Sequence, residues 1–264
     1  KKKKLTLTKK LKSKKNEKTF GKKKKFVKTS LKQGKINSKE IKKGDIFFAI
    51  KGKKNDGNKF VGEAFNRKAS IAIVNKINKN YNNKKQIKVR DSLKFLTQCS
   101  KIYRQNINTK IIAITGSCGK TTLKELLGSS LKKIYKVSTS PKSYNNKYGV
   151  PLSLFNINQK DQYGVLEIGM DKKGEIDFLS KIVQPDVSVI TNINYAHAKN
   201  FRNIKQIALA KSEIINNTNN NGSIVLNADD RFFNFHKKIA LRKNLNILSF
   251  IIKKKNTNVK LISI

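Results

Sequence analysis

The chain has 264 residues, enough for two ordinary domains and a real hydrophobic core, with 60 Lys and Arg against 16 Asp and Glu for a net charge of +44. It holds no apolar run long enough to cross a bilayer, its start lacks a secretory core, and two cysteines, Cys99 and Cys118, make no disulfide framework, so a reducing cytoplasm is expected. Lysine far outnumbers arginine and is spread over the whole length, which reads as compositional bias; with few Arg for base readout and no aromatic platform, nucleic acid is disfavoured as the main partner.

Residues 1–25 contain 14 lysines and few large apolar side chains, and are expected to be a disordered basic tail. From Phe26 the pattern changes. Asp45–Ile50 reads as a short buried strand, Gly52 to Gly57 as a turn-rich loop, Phe60–Phe65 as a helix with one apolar face, and Ser70–Val74 as a second buried strand. With a closing helix over Asp91 to Tyr103, this predicts a small α/β domain over 26–106, followed by a polar linker from Arg104 to Lys110.

A second domain, 107–264, begins with the β-branched strand Ile111–Thr115. This strand runs into Gly116-Ser117-Cys118-Gly119-Lys120-Thr121-Thr122 and a helix through Leu131. Further apolar runs at Val165–Ile168, Val187–Ile190 and Ser223–Leu226, with helix-like segments between, predict a mainly parallel sheet flanked by helices.

The chemistry concentrates at the glycine-rich turn. A turn between a buried strand and a helix points backbone N–H groups at one spot, where the helix dipole adds positive potential. Lys120 would reach the terminal phosphates of a nucleotide, and the Thr121 hydroxyl would ligate Mg²⁺. The usual eight-residue pattern is shortened, because Ile114 stands where its first glycine would be; Thr115 and Gly116 open the loop instead. Acidic residues are scarce. Glu167 ends an apolar strand, where a Mg²⁺-holding carboxylate is needed, and its apolar neighbours argue against a merely solvated one. His197 fits a metal ligand, a general base or a surface residue equally well. His236 receives no role, Lys211 is by default a solvated lysine, and Asp229 and Asp230 fit a helix cap better than a site.

The succession from Ile112 to Thr122, Tyr144-Asn145-Asn146-Lys147-Tyr148-Gly149-Val150-Pro151-Leu152, Leu166–Met170, Gly174–Ile176, Ile190–Ile193 with His197, Ala210–Ile214 and Leu226–Asp230 resembles the Mur ligases over roughly residues 38–250. Within that family the Asn-Asn-x-x-Gly-Val-Pro segment and the Lys-Ser-Glu-Ile ending are most similar to the member that joins D-alanyl-D-alanine to UDP-N-acetylmuramoyl-tripeptide. The resemblance implies an ATP-dependent ligase of peptidoglycan precursor synthesis that works through an acyl phosphate. It implies that Lys120 and Thr121 bind ATP phosphates and Mg²⁺, and that Glu167 and His197 are metal ligands. Lys211 matches a lysine carbamylated by CO₂ to help hold a second Mg²⁺, and Asn145 and Asn146 match positions near the muramyl-peptide substrate. The first domain resembles a uridine-nucleotide-binding domain. There the family's Ser-x-Asp-Ser-Arg appears as Lys35-Ile36-Asn37-Ser38-Lys39, which keeps Ser38 as the candidate substrate contact while changing the acid and the arginine. The expected His-Asn-x-x-Asn segment and C-terminal domain are absent and Lys1 is no initiator, so the chain is expected to be a fragment, inactive alone.

Overall fold

A computed structural model of the chain describes residues 33–52, 55–195 and 200–251, and the backbone of Val259–Lys260. The expected basic tail, 1–25, and His197 lie outside the described residues. The chain divides into two compact units at Gln105 and Asn106.

The first unit is a four-stranded parallel sheet, ordered β1 (Gly34–Lys35), β2 (Ile46–Phe48), β3 (Ile71–Val74) and β4 (Gln86–Lys88). Between β2 and β3 lies α1 (Val61–Asn66), and α2 (Ser92–Arg104) follows β4. Phe47, Ala49, Val61, Ala64, Ala72 and Val74 form its core. The Asp91 carboxylate accepts from Lys94 N at 2.9 Å and so satisfies one orphan amide of α2. The expected polar linker, Arg104 to Lys110, is only partly solvated: Arg104, Ile107 and Thr109 are buried, while Gln105, Asn106, Asn108 and Lys110 are exposed.

The second unit is a seven-stranded, wholly parallel sheet. Its elements in chain order are β5 (Lys110–Thr115), α3 (Lys120–Lys132), β6 (Val137–Thr139), α4 (Gly149–Phe155), β7 (Tyr163–Glu167), α5 (Glu175–Val183), β8 (Val187–Ile190), α6 (Ile204–Asn217), β9 (Ser223–Asn227), α7 (Phe233–Arg242), β10 (Asn246–Ile251) and β11 (Val259–Lys260). The strand order is β11-β10-β9-β8-β5-β7-β6. β5 is therefore an inner strand between β8 and β7, and the connections leave it first to one side and later to the other, which opens a crevice at its carboxyl end. Alternation along the strands sends Ile112, Ile114, Val165 and Val189 to one face, where the Leu123, Leu127 and Leu131 stripe of α3 covers them. This architecture is the α/β fold with parallel sheets that the apolar runs predict. Among the described residues no helix is long and apolar enough to cross a membrane.

Candidate active site

The loop after β5 turns on glycines at two points of positive φ. Gly116 has φ +150°, and a Cβ there would lie 1.8 Å from Thr191 Oγ1; Gly119 has φ +79° and is the residue preceding α3. That helix starts with no side-chain cap, so its first amides are left to an external acceptor, the arrangement that binds anions. The loop is knitted to the segment after β8. Ser117 N donates to Asn192 O at 2.9 Å, Cys118 N to Asn192 Oδ1 at 3.1 Å, and Thr191 Oγ1 to Cys118 O at 2.6 Å. Ser117 Oγ donates to Asn194 O at 2.9 Å and accepts from Asn194 N at 2.8 Å. Thr115 and Ser117 are buried, whereas Cys118, Gly119 and Thr122 are exposed. Neither cysteine is in a disulfide.

Five of the expected site residues, Lys120, Thr121, Asn145, Glu167 and Lys211, converge here. Lys120 Nζ donates to Gly116 O at 2.8 Å and to Ser117 O at 3.2 Å, and Lys211 Nζ reaches the same Gly116 O at 2.8 Å. Thr121 Oγ1 donates to Glu167 Oε2 at 2.8 Å, and Asn145 Nδ2 to Glu167 Oε1 at 2.6 Å. Glu167 is 1% exposed, yet among the described residues no lysine or arginine pairs with it. A buried carboxylate held only by a hydroxyl and an amide leaves a charge for a cation to balance. Hard oxygen donors from Thr121 and Glu167 fit Mg²⁺.

Lys211 is not the solvated lysine its composition suggests; it is 1% exposed. Burial, and next the charge of Lys120, pull its pKa from 10.5 down to about 7, while Cys118 acts weakly the other way. Asn146 is exposed, and its Oδ1 accepts from Tyr148 N at 3.0 Å and Gly149 N at 3.1 Å, which organises the start of α4. Ser38, in the first unit, is buried with its hydroxyl donated to Glu63 Oε2 at 2.7 Å. Asp230 is not the helix cap the sequence suggests, since α7 starts with no side-chain cap; one carboxylate oxygen accepts from Phe232 N at 2.8 Å and the other from Ile193 N at 2.6 Å, in the segment after β8. The sequence reading gave Asn192 no role of its own. Its side chain and carbonyl both grip the phosphate loop, and no spacing rule marks such a residue.

A strand, glycine loop and uncapped helix, with a hydroxyl and a buried carboxylate beside them, define a phosphate-binding α/β protein of the P-loop kind. Residues 32–104 match the Mur ligase family catalytic domain and residues 114–263 the Mur ligase middle domain, so the chain belongs to the Mur ligase family. It is similar to the UDP-N-acetylmuramoyl-tripeptide--D-alanyl-D-alanine ligase of Buchnera aphidicola, 38% identical over 220 residues, covering 83% of this chain and 48% of the relative. The ligase of the same name from Bacillus subtilis is 36% identical over 197 residues, 74% of this chain and 43% of the relative. Among solved structures, MurF from Acinetobacter baumannii matches with a TM-score of 0.74 at 35% identity, over 86% of this chain and 49% of that one. MurF from Thermotoga maritima in complex with ADP matches with 0.71 at 34%, over 83% and 50%. The chain thus spans about half the length of the relatives it matches.

Proposed function

We propose that the chain supplies the phosphate site of an ATP-dependent amide ligase of peptidoglycan precursor synthesis, joining D-alanyl-D-alanine to UDP-N-acetylmuramoyl-tripeptide. The observation that carries this reading is the Thr121–Glu167 contact at 2.8 Å beside the uncapped start of α3, with Lys120 and the buried Lys211 meeting on Gly116 O. The names of the relatives support the choice of substrates.

In this reading the loop from Thr115 to Thr122 receives the ATP phosphates, and Lys120 leaves the Gly116 carbonyl to meet them. Thr121, Glu167 and, by the family resemblance, His197 would hold Mg²⁺, and its charge would offset the crowding of phosphate and carboxylate. Lys211 as a free amine adds to CO₂, forming an N–C bond and releasing a proton, and the carbamate becomes a further acidic ligand. The pKa of about 7 supplies that free amine near neutral pH. Asn145 and Asn146 face the muramyl peptide, and Ser38 the uridine nucleotide. The terminal carboxylate of the tripeptide attacks the γ-phosphorus, ADP leaves, and an acyl phosphate results. The amine of D-alanyl-D-alanine then attacks the acyl carbon, and phosphate and a proton depart as the amide forms. Lys120 and the helix amides stabilise the charge on the transferring oxygens.

The test is phosphate release from Mg-ATP by the full reading frame, with UDP-muramyl-tripeptide, with and without D-alanyl-D-alanine. Release that requires both substrates is expected. ATP binding without release under any combination would refute the ligase and favour a nucleotide-binding paralogue without turnover, a reading that the Ser38–Glu63 contact and the altered Lys35–Lys39 segment speak for.

A further inference from the structure

A lysine is among the costliest side chains to bury unless its ammonium finds a full set of acceptors. Lys124 is 0% exposed. It lies one helical turn past Lys120 on α3, and so on the same face. Its Nζ donates to Ser140 O at 2.8 Å and to Lys142 O, and it pairs with Glu125 Oε1 at 3.0 Å. An ammonium has three donors and no acceptor, and all three are committed. Nothing in the proposed chemistry uses this residue.

What Lys124 holds is the loop between β6 and α4. The loop opens at Ser140, whose N–H donates to Val165 O at 2.9 Å and whose Oγ accepts from Glu167 N at 3.3 Å. It passes through Lys142 at φ +47°, a left-handed conformation that side chains other than glycine avoid. It then reaches Asn145, whose Nδ2 donates to Glu167 Oε1 at 2.6 Å and whose carbonyl accepts from Gly169 N at 2.7 Å. Helix α3 therefore touches Glu167 twice. It does so directly through Thr121, and through this loop by way of Lys124.

We propose that Lys124 is a positioning residue of the phosphate and metal site. By clamping the Ser140 and Lys142 carbonyls to the phosphate helix, it fixes where Asn145 meets Glu167 and so holds the carboxylate against Thr121. One rigid element then sets both contacts to the same carboxylate, which is how a site is kept within a fraction of an ångström of its working geometry. A neutral side chain of lysine's length would leave two carbonyls without their donor, Lys142 would relax from its left-handed backbone, and Asn145 would leave Glu167. The inference rests on the reading of Thr121 and Glu167 as the Mg²⁺ pair.

The experiment uses Lys124→Met, similar in length but without donors, and Lys124→Gln, which keeps two. ADP binding by the chain is titrated calorimetrically at increasing Mg²⁺ and in EDTA, and exchange of the Gly169 amide is followed by NMR. In Lys124→Met the Mg²⁺ concentration for half-maximal tightening of ADP binding rises about tenfold, the scale expected when charge-assisted hydrogen bonds are lost. ADP affinity in EDTA stays unchanged, and Gly169 exchanges faster. Lys124→Gln shifts less in the same direction and carries the test if the first variant does not fold. An unchanged Mg²⁺ midpoint and unchanged Gly169 exchange in a folded variant overturn the proposal, as does equal weakening with and without Mg²⁺, the mark of a merely structural residue. A wild-type chain that binds no ADP at any Mg²⁺ would sink the phosphate-site reading instead, and Gly169 exchange would then decide the role of Lys124 alone.

Discussion

Lys211→Met is expected to make this chain more stable. The fall in the Lys211 pKa from 10.5 to about 7, caused first by burial and then by Lys120, amounts at about 1.4 kcal/mol per pH unit to about 5 kcal/mol of opposition to folding. Methionine fills a similar volume without that charge. Gly116 O loses one donor but keeps Lys120 Nζ at 2.8 Å, so no carbonyl is orphaned. Allowing for that lost bond and imperfect packing leaves a net gain of about 3 kcal/mol, or roughly 6–12 °C in Tm for a unit of this size. The sign follows from proton linkage. Below about 7 both folded and unfolded chains carry the proton and the penalty is complete; between 7 and 10.5 only the unfolded chain does, so the penalty shrinks as pH rises and is gone above 10.5. Scanning calorimetry of both proteins in CO₂-free buffer, from mildly acidic to strongly alkaline pH, reads this directly. A variant less stable than wild type at low pH, or a gain that does not fade with rising pH, would refute the reasoning.

Glu167→Gln should keep the fold, since the amide oxygen still accepts from Thr121 or Asn145, while abolishing the effect of Mg²⁺ on ADP binding; a calorimetric titration that retains it would remove Glu167 from the metal site. Gly116→Ala should unfold the loop or the unit, because its Cβ would fall 1.8 Å from Thr191 Oγ1, whereas Gly119→Ala, with nothing within 4 Å, should lose only about 1 kcal/mol to its left-handed backbone in urea titrations. Burial holds the His236 pKa below 6.5 against the opposing pull of the Ala208 carbonyl and Asp230, so stability should drop as pH falls below 6.5 and the unfolded chain takes the proton first. His236→Gln, which can keep a donor on Ala208 O, should flatten that slope, and an unchanged slope would assign it elsewhere.

The central strands were legible because parallel strands buried on both faces read as apolar runs, unbroken in Ile111–Ile114 and interrupted only by the small Ser188 in Val187–Ile190. The edges were not. Gly34–Lys35, Gln86–Lys88 and Val137–Thr139 are too short to show a period of two, and in β10, one strand in from the edge, the polar Asn246 and Ser249 interrupt the apolar run. The phosphate loop announced itself through Gly116, Gly119 and Lys120. Lys211 could also have been found from the residues alone, since Ile204, Ile207, Ala208, Ile214 and Ile215 form a helical stripe that includes it. Lys124 gave no such sign. On α3 the stripe is Leu123, Leu127 and Leu131, and a lysine beside it looks like any of the solvated cations in a chain with 60 basic residues. Its burial depends on where the β6–α4 loop comes to rest, which is a tertiary fact.

The phosphate loop carries two lysines on one carbonyl, and that arrangement should show as coupling. Lys120 and Lys211 both place Nζ 2.8 Å from Gly116 O, and the charge of Lys120 is the second cause of the depressed Lys211 pKa. Each cation raises the cost of the other, and the uncapped helix beside them offers no acid to relieve it. An anion would, by drawing Lys120 off the carbonyl. In Lys120→Ala the Lys211 pKa should move back up, so Lys211→Met should stabilise that background less than it does wild type. The difference between the two gains, measured by urea unfolding at neutral pH as a double-mutant cycle, should fall between about 0.5 and 3 kcal/mol, the range for groups that share a partner. Inorganic pyrophosphate should reduce the Lys211→Met gain in wild type for the same reason and leave it unchanged in Lys120→Ala. Additive substitutions, with no effect of pyrophosphate in either background, would mean that the two ammonium groups do not sense each other and that burial alone sets the character of Lys211.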